Sequence, residues 1–295
     1  MSDSIPKIDI PQGALDLYDA YAHGELSRRG FFAGLSRYAV GGVTVASLAA
    51  CIMPDYETVQ TVENETGLDT ETLKYTSPNG AGDMAGYLVR PAGTAKPLGG
   101  VIVIHENRGL NPHIKDVARR AAAAGYVAFA PDALYPLGGY PGNDDDGRTL
   151  QAQRDRGKML EDFKTAAEVL RDHEYCTGKV ACVGFCFGGA VSNLMAVQQP
   201  WLSAAAPFYG GWPTAEDAGK LQVPLQIHLA SLDARVNAGW PDYEAALQAA
   251  GAEYEMFMYE DTNHGFHNDT TPRFDEAAAQ LAWSRTLALF AKTLA

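Results

Sequence analysis

Residues 179–189 read KVACVGFCFGG: strand-forming residues, then Cys186, then glycines at 188 and 189 that echo the one at 184. The pattern predicts a buried strand through Phe185, a sharp turn at Cys186 and a helix beginning near Phe187. Strand–turn–helix is the context that gives a Gly-x-nucleophile-x-Gly elbow its meaning. Glycines let strand and helix approach closely around a strained residue. A helix N-terminus favours a thiolate through its dipole, and the backbone N–H of Phe187 points where an oxyanion would form. A buried structural cysteine on an ordinary turn fits the six residues GFCFGG equally well, so the rest of the chain has to decide.

Outward from that stretch, strand-like and helix-like segments alternate, which predicts a mostly parallel sheet with helices on both faces. GYLVRP (86–91), GVIVIHE (100–106), YVAFAPD (126–132), AAAPFYG (204–210), PLQIHLA (224–230) and YEMFMYE (254–260) read as strands. Asn111 and Pro112 open a helix that Gly125 closes. Helical spacing of Met159, Leu160, Phe163, Ala166, Ala167 and Leu170 predicts a helix over 157–173, and a closing helix is expected over 275–293. Residues 136–148 read as a turn-rich loop. Their Asp144-Asp145-Asp146 run lacks the alternation of a calcium loop and is expected to be solvated surface.

The expected organisation is an N-terminal segment (1–53), a connector (54–75) and one domain (76–295). In the first of these, Ser27-Arg28-Arg29-Gly30-Phe31-Phe32 before an apolar run resembles a twin-arginine export signal. Leu48-Ala49-Ala50-Cys51 resembles a lipoprotein processing box that would acylate Cys51. The alternative is a pair of amphipathic helices packed on the domain. Location is accordingly open between periplasm and cytoplasm. The apolar run is too short for a stable membrane span. A net charge of −13 leaves no basic run for phosphates, so nucleic acid is not an expected partner. None of the four cysteines forms a Cys-x-x-Cys pair, so no metal site is expected.

A nucleophile needs a base, and the base needs an orienting group. Asp233 follows the strand PLQIHLA and His264 follows YEMFMYE. In an open parallel sheet, strand ends on that side converge on one crevice. Cys186, Asp233 and His264 thus fall on one edge, in the order nucleophile, acid, histidine. His228 lies within a strand and reads as packing, His105 as a supporting residue, His267 as a lesser candidate, and Asp261 as a rival acid close to His264.

VIVIHENRGLN, GYVAFAPD, GKVACVGFCFGG, the Asp233 loop and NHGFHN together resemble the dienelactone hydrolase family of α/β-hydrolases, over roughly residues 70–295. The resemblance implies an α/β-hydrolase fold and hydrolysis of a carboxylic ester or lactone, without metal or cofactor. It also implies a triad of Cys186 (nucleophile), His264 (base, then acid) and Asp233 (orienter). A glutamate in the position of Glu106 contacts the thiol in such enzymes and controls thiolate formation, and the N–H of Asn107 would oppose that of Phe187. Family members acting on dienelactone hold its carboxylate with an arginine four residues after the histidine, where this chain has Asn268. Arg108, Arg148, Arg154 and Arg273, with Tyr135, Tyr140 and Trp240, are the candidates to line a substrate pocket. A small-molecule ester or lactone is the expected partner, and an oligomer is compatible with the sequence. The rival readings are a catalytically silent binding protein on a hydrolase scaffold and a redox sensor in which Cys182 resolves Cys186.

Overall fold

The computed structural model describes residues 10–56 and 67–295. Among them, eight strands form one sheet in the order β1-β2-β4-β3-β5-β6-β7-β8. They are β1 (Leu68–Ser77), β2 (Gly82–Pro91), β3 (Leu98–Ile104), β4 (Val127–Pro131), β5 (Cys176–Phe185), β6 (Ala204–Phe208), β7 (Leu225–Ala230) and β8 (Tyr254–Tyr259). β3 to β8 pair in parallel, while β1 and β2 form an antiparallel hairpin that joins the sheet through β4. The connector expected over 54–75 therefore ends early, because β1 occupies its last third; residues 57–66 lie outside the described residues.

Alternation along the strands divides the core. Val101 and Val103 face one layer and Ile102 and Ile104 the other, as a period of two requires. α4 (Pro112–Ala123) and α11 (Glu276–Leu294) cover the first face. α6 (Arg156–Arg171), α7 (Phe187–Gln198) and α10 (Trp240–Ala249) cover the second. Cys182 is buried in that second layer, where burial pushes its thiol up to about 12, leaving it protonated and unsuited to resolving an oxidised partner.

One expectation fails between β4 and α6. Asp144–Gln151 is a helix, α5, not loop, and Asn143 caps it by accepting from the N–H of Asp146 at 2.9 Å. The three aspartates fill its first turn, where negative charge meets the positive end of the helix dipole. Asp144 is drawn inward, accepting from Arg108 at 2.6 Å and from Tyr56 and Tyr140 at 2.7 and 3.0 Å.

The N-terminal residues fold into α1 (Gln12–Ala22), α2 (Arg28–Leu35) and α3 (Val45–Ile52). Tyr18, Tyr21, Phe31, Leu35, Leu48 and Ile52 give them a core of their own, with Phe31 stacked on Tyr21 at 4.9 Å. Ser27 caps α2 and Thr44 caps α3. Arg28 and Arg29 thus stand in the first turn of a helix, and Arg28 pairs with Asp145 at 3.0 Å. No helix among the described residues is long and apolar enough to cross a membrane.

α7 leaves β5 at very close range. A Cβ on Gly188 would lie 2.2 Å from the Ile104 carbonyl oxygen, and one on Gly189 2.4 Å from that of Phe208. Both obstacles are backbone, so neither can yield cheaply. Gly188→Ala is therefore expected to cost about 2 kcal/mol or more of unfolding free energy, as forced overpacking does. Gly211→Ala, whose new Cβ would meet only the Ala190 methyl at 3.7 Å, is expected to be near neutral. Urea unfolding of both variants checks the contrast.

Candidate active site

Cys186 occupies the turn between β5 and α7 with φ 55° and ψ −111°. A non-glycine residue there is strained, and the strain is held by the N–H of Cys186 donating to the Phe208 carbonyl at 3.1 Å. Phe187 is the first residue of α7, so its N–H has no acceptor inside the helix. Asn107 and Phe187 line the same cavity, about 450 Å³ in volume, together with Arg148, Arg154, Arg156 and a residue from the N-terminal segment, His23.

Asp233 follows β7 and caps the short helix α9 (Ala234–Asn237), accepting from the Val236 N–H at 3.2 Å. Its other oxygen accepts from His264 Nδ1 at 2.6 Å. Nδ1 therefore carries hydrogen, and Nε2, buried and without a protein hydrogen-bond partner, is left for chemistry. The ligating atoms of His264, Cys186 and His23 lie within 4.8 Å of one another. Their charges are mutually dependent. Burial pushes the Cys186 thiol up, but His23 and His264 more than offset it and bring it down to about 5. Burial opposes the charged form of His264, yet Cys186 and Asp233 raise it above its ordinary value. Burial likewise opposes the charged form of His23, which Cys186 and Asp19 bring up to about 10.

The other histidines weighed from the sequence are structural. His105 donates from Nδ1 to the Glu106 carbonyl at 2.6 Å and accepts from the Ala133 N–H at 3.1 Å, so it fixes the loop bearing Glu106 and Asn107 as a neutral ring. His228 is enclosed between Tyr259 and Thr286, and burial pushes it down to about 3. His267 stacks on Phe185 at 5.0 Å, and burial holds it well below its ordinary value. Asp261, the rival acid, sits in a left-handed turn with φ 54° on the exposed side of its loop.

Glu106, expected beside the thiol, has a partner the sequence does not show. It is buried, and its carboxylate accepts from Asn268 Nδ2 at 3.0 Å. Asn268 is fixed in turn by Thr270, which donates to Oδ1 from N–H at 3.1 Å and from its hydroxyl at 2.6 Å. All four proposed substrate arginines are likewise committed elsewhere: Arg154 pairs with Asp162 at 2.6 Å and Arg148 with Asp145 at 3.3 Å. Arg108 is ion-paired to Asp144, and Arg273, also buried, donates to Asp19 at 3.1 Å. Trp240 is packed among Trp212, Tyr243 and Tyr254 in the core. Tyr140 does line a cavity, of about 370 Å³, with Tyr18, Tyr21, Tyr56 and Arg108.

Sequence reasoning missed His23. It caps the C-terminus of α1 just before Gly24, whose φ is 78°. Its Nε2 lies 3.3 Å from Cys186 Sγ, and its ring meets that of His264 edge-on at 4.7 Å. His23, Cys186 and His264 form a possible ligand set for a soft cation. Arg235 opposes that use, because its Nη2 lies 2.9 Å from His23 Nε2 and puts a fixed positive charge beside the cluster.

Comparison with known proteins identifies the family and the fold. The family model described as "Dienelactone hydrolase family" matches residues 84–294, and a model described as "YqhI-like" matches residues 2–41. A protein of Synechocystis sp. named "Putative carboxymethylenebutenolidase" is 34% identical over 246 residues, covering 76% of this chain and 97% of its own. An Escherichia coli protein named "Putative hydrolase fragment YghX" is 51% identical over 114 residues, 38% of this chain and 97% of its own. Among solved structures, the "Putative Dienelactone Hydrolase" of Klebsiella pneumoniae superposes with a TM-score of 0.67 at 28% identity, covering 76% of this chain and 99% of that one.

A thiol brought down to about 5 is thiolate at neutral pH. Alkylation of Cys186 by iodoacetamide, read by peptide mass, is therefore expected to be nearly independent of pH above about pH 6 and to fall as pH drops through 5. An ordinary thiol would instead gain rate up to about pH 8.5.

Proposed function

Because the chain belongs to the dienelactone hydrolase family, we propose that it hydrolyses carboxylic esters or lactones through Cys186, His264 and Asp233. The observation that carries this reading is the 2.6 Å hydrogen bond from His264 Nδ1 to Asp233, which orients a free Nε2 toward a thiol on a strained strand–helix turn. The Cys186 thiolate attacks the carbonyl carbon and forms a C–S bond. The displaced electron pair collects on the carbonyl oxygen, facing the N–H groups of Phe187 and Asn107. When the intermediate collapses, the C–O bond breaks and His264 gives its proton to the departing alkoxide. Neutral His264 then takes a proton from water, whose oxygen attacks the thioester and expels the thiolate. A lactone yields a hydroxy acid.

The proposal stops at esters and lactones as a class. Asn268 occupies the position from which family members hold the dienelactone carboxylate, and it is committed to Glu106. Of the arginines that border the 450 Å³ cavity beside Phe187, Arg148 and Arg154 pair with Asp145 and Asp162, so Arg156 is the cation there that a remote acidic group of a substrate would meet. In hydrolysis of a p-nitrophenyl ester, Cys186→Ala and His264→Ala are each expected to lose about a thousandfold or more in kcat/KM. Unchanged turnover by Cys186→Ala would end this reading. A panel of short-chain esters and lactones, with and without a remote carboxylate, reads the substrate class.

A further inference from the structure

His23 repeats, from the opposite side, what His264 does. The His264 ring is held by Asp233 and faces the thiol. The His23 ring is held by Asp19 and faces the thiol too: Nδ1 lies 2.8 Å from the Asp19 carbonyl oxygen and 3.4 Å from its carboxylate, and Nε2 lies 3.3 Å from Sγ. Asp19 is itself fixed, accepting from Arg273 at 3.1 Å. Asp19, His23, Cys186, His264 and Asp233 thus form a continuous row in which acid, imidazole, thiol, imidazole and acid follow one another. His23 Nε2 lies within hydrogen-bond distance of the sulfur, and both rings bring the thiol down.

We propose that Asp19 and His23 are a second acid–base pair of the active site, with His23 the acceptor of the Cys186 proton. This rests on the thiol-hydrolase reading above and extends it to a residue of the N-terminal helices. The step is a proton transfer without redox change: the S–H bond of Cys186 breaks and an N–H bond forms at His23 Nε2. The thiolate is then held by two imidazolium groups, and His264 keeps its own proton for the leaving alkoxide. Once the sulfur is acylated, His23 keeps its proton with Asp19 behind it until the thiolate returns.

The charges around His23 allow both states. Arg235 Nη2 lies 2.9 Å from Nε2 and can donate to it while the ring is neutral. When the ring gains a proton, the partly exposed Arg235 side chain has Asp19 at 3.8 Å and Glu25 at 4.0 Å to turn to. Arg273 is held by Asp19; Arg148 and Arg154, which share a cavity with His23 and the exposed Arg156, are held by Asp145 and Asp162; and His264 is offset by Asp233.

The test uses the full chain with His23→Gln, which keeps a donor and much of the shape without a titrating ring, and His23→Ala. Circular dichroism confirms that each is folded. At about pH 6, alkylation of Cys186 in His23→Gln is expected to be at least tenfold slower than in the parent, with equal rates at a pH where any thiol is ionised. Ester kcat/KM near neutrality is expected to fall roughly 10- to 100-fold and to recover at alkaline pH. Added imidazole is expected to restore part of the His23→Ala activity, which a merely structural role would not do. An unchanged alkylation profile, or faster hydrolysis without the ring, would overturn the proposal; the second would make His23 a plug. Alkylation reads the thiol independently of turnover. A failed His23 result beside an inactive Cys186→Ala would thus discard this inference and keep the hydrolase.

Discussion

The contact between α7 and the sheet leaves no room for a side chain. Cβ atoms at Gly184, Gly188 and Gly189 would all fall within about 2.0–2.4 Å of backbone oxygens. Everything at the site follows from this closeness. It lets a helix start immediately after the central strand β5, which forces Cys186 into a left-handed conformation costing on the order of 1–3 kcal/mol. It also sets the N-terminus of α7 directly after the sulfur, so the fold provides a positive dipole where the proposed reaction needs one. Gly188 meets the end of β3, the strand that leads to Asn107, and so ties the two proposed oxyanion donors to one packing contact.

Parallel order does the rest of the positioning. β6, β7 and β8 run successively outward from β5, and the loops after β7 and β8 meet where Asp233 accepts from His264. Asp233 caps α9 through one oxygen, which fixes its carboxylate with the other oxygen toward His264. His264 lies against Tyr209, at 4.8 Å between ring centres. Tyr209 also has a positive φ, 36°.

The strands that carry these residues were legible because a strand buried on both faces is an apolar run, and β3, β4, β5 and β7 are written that way. The order Cys186, Asp233, His264 was legible because each follows its own strand. β1 escaped because it is an edge strand with most residues exposed, so its polar letters resemble a linker. α5 escaped because its first turn is three aspartates after glycines, read as loop although Asn143 marks a helix start. Glu106 was located at the site, but its partner was not. Only the fold brings residues 106 and 268 together, and a carboxylate–amide pair leaves no periodicity or motif in the chain. The arginines near the crevice were visible by number, while their commitments to Asp144 and Asp19 depend on packing.

His23 is the sharpest case, since a lone histidine after a helix carries no pattern at all. Its importance comes from how the N-terminal helices are fastened. Asn107 donates to the Ala22 carbonyl and Arg148 to the Tyr21 carbonyl, each at 2.7 Å. Arg273 holds Asp19, and the Asp55 N–H donates to the Thr270 carbonyl at 2.7 Å. Each fastening uses a residue within a few positions of Glu106, Phe187, His264 or Asn268, or one bordering their cavity. The last turn of α1 is thereby held on the same loops that build the crevice. A buried thiolate is costly unless cations face it. In the proposed mechanism the family domain faces it with one imidazole, whereas the assembled chain faces it with two, each backed by an aspartate. A segment that looks detachable by its letters is, by its contacts, the fourth wall of the site.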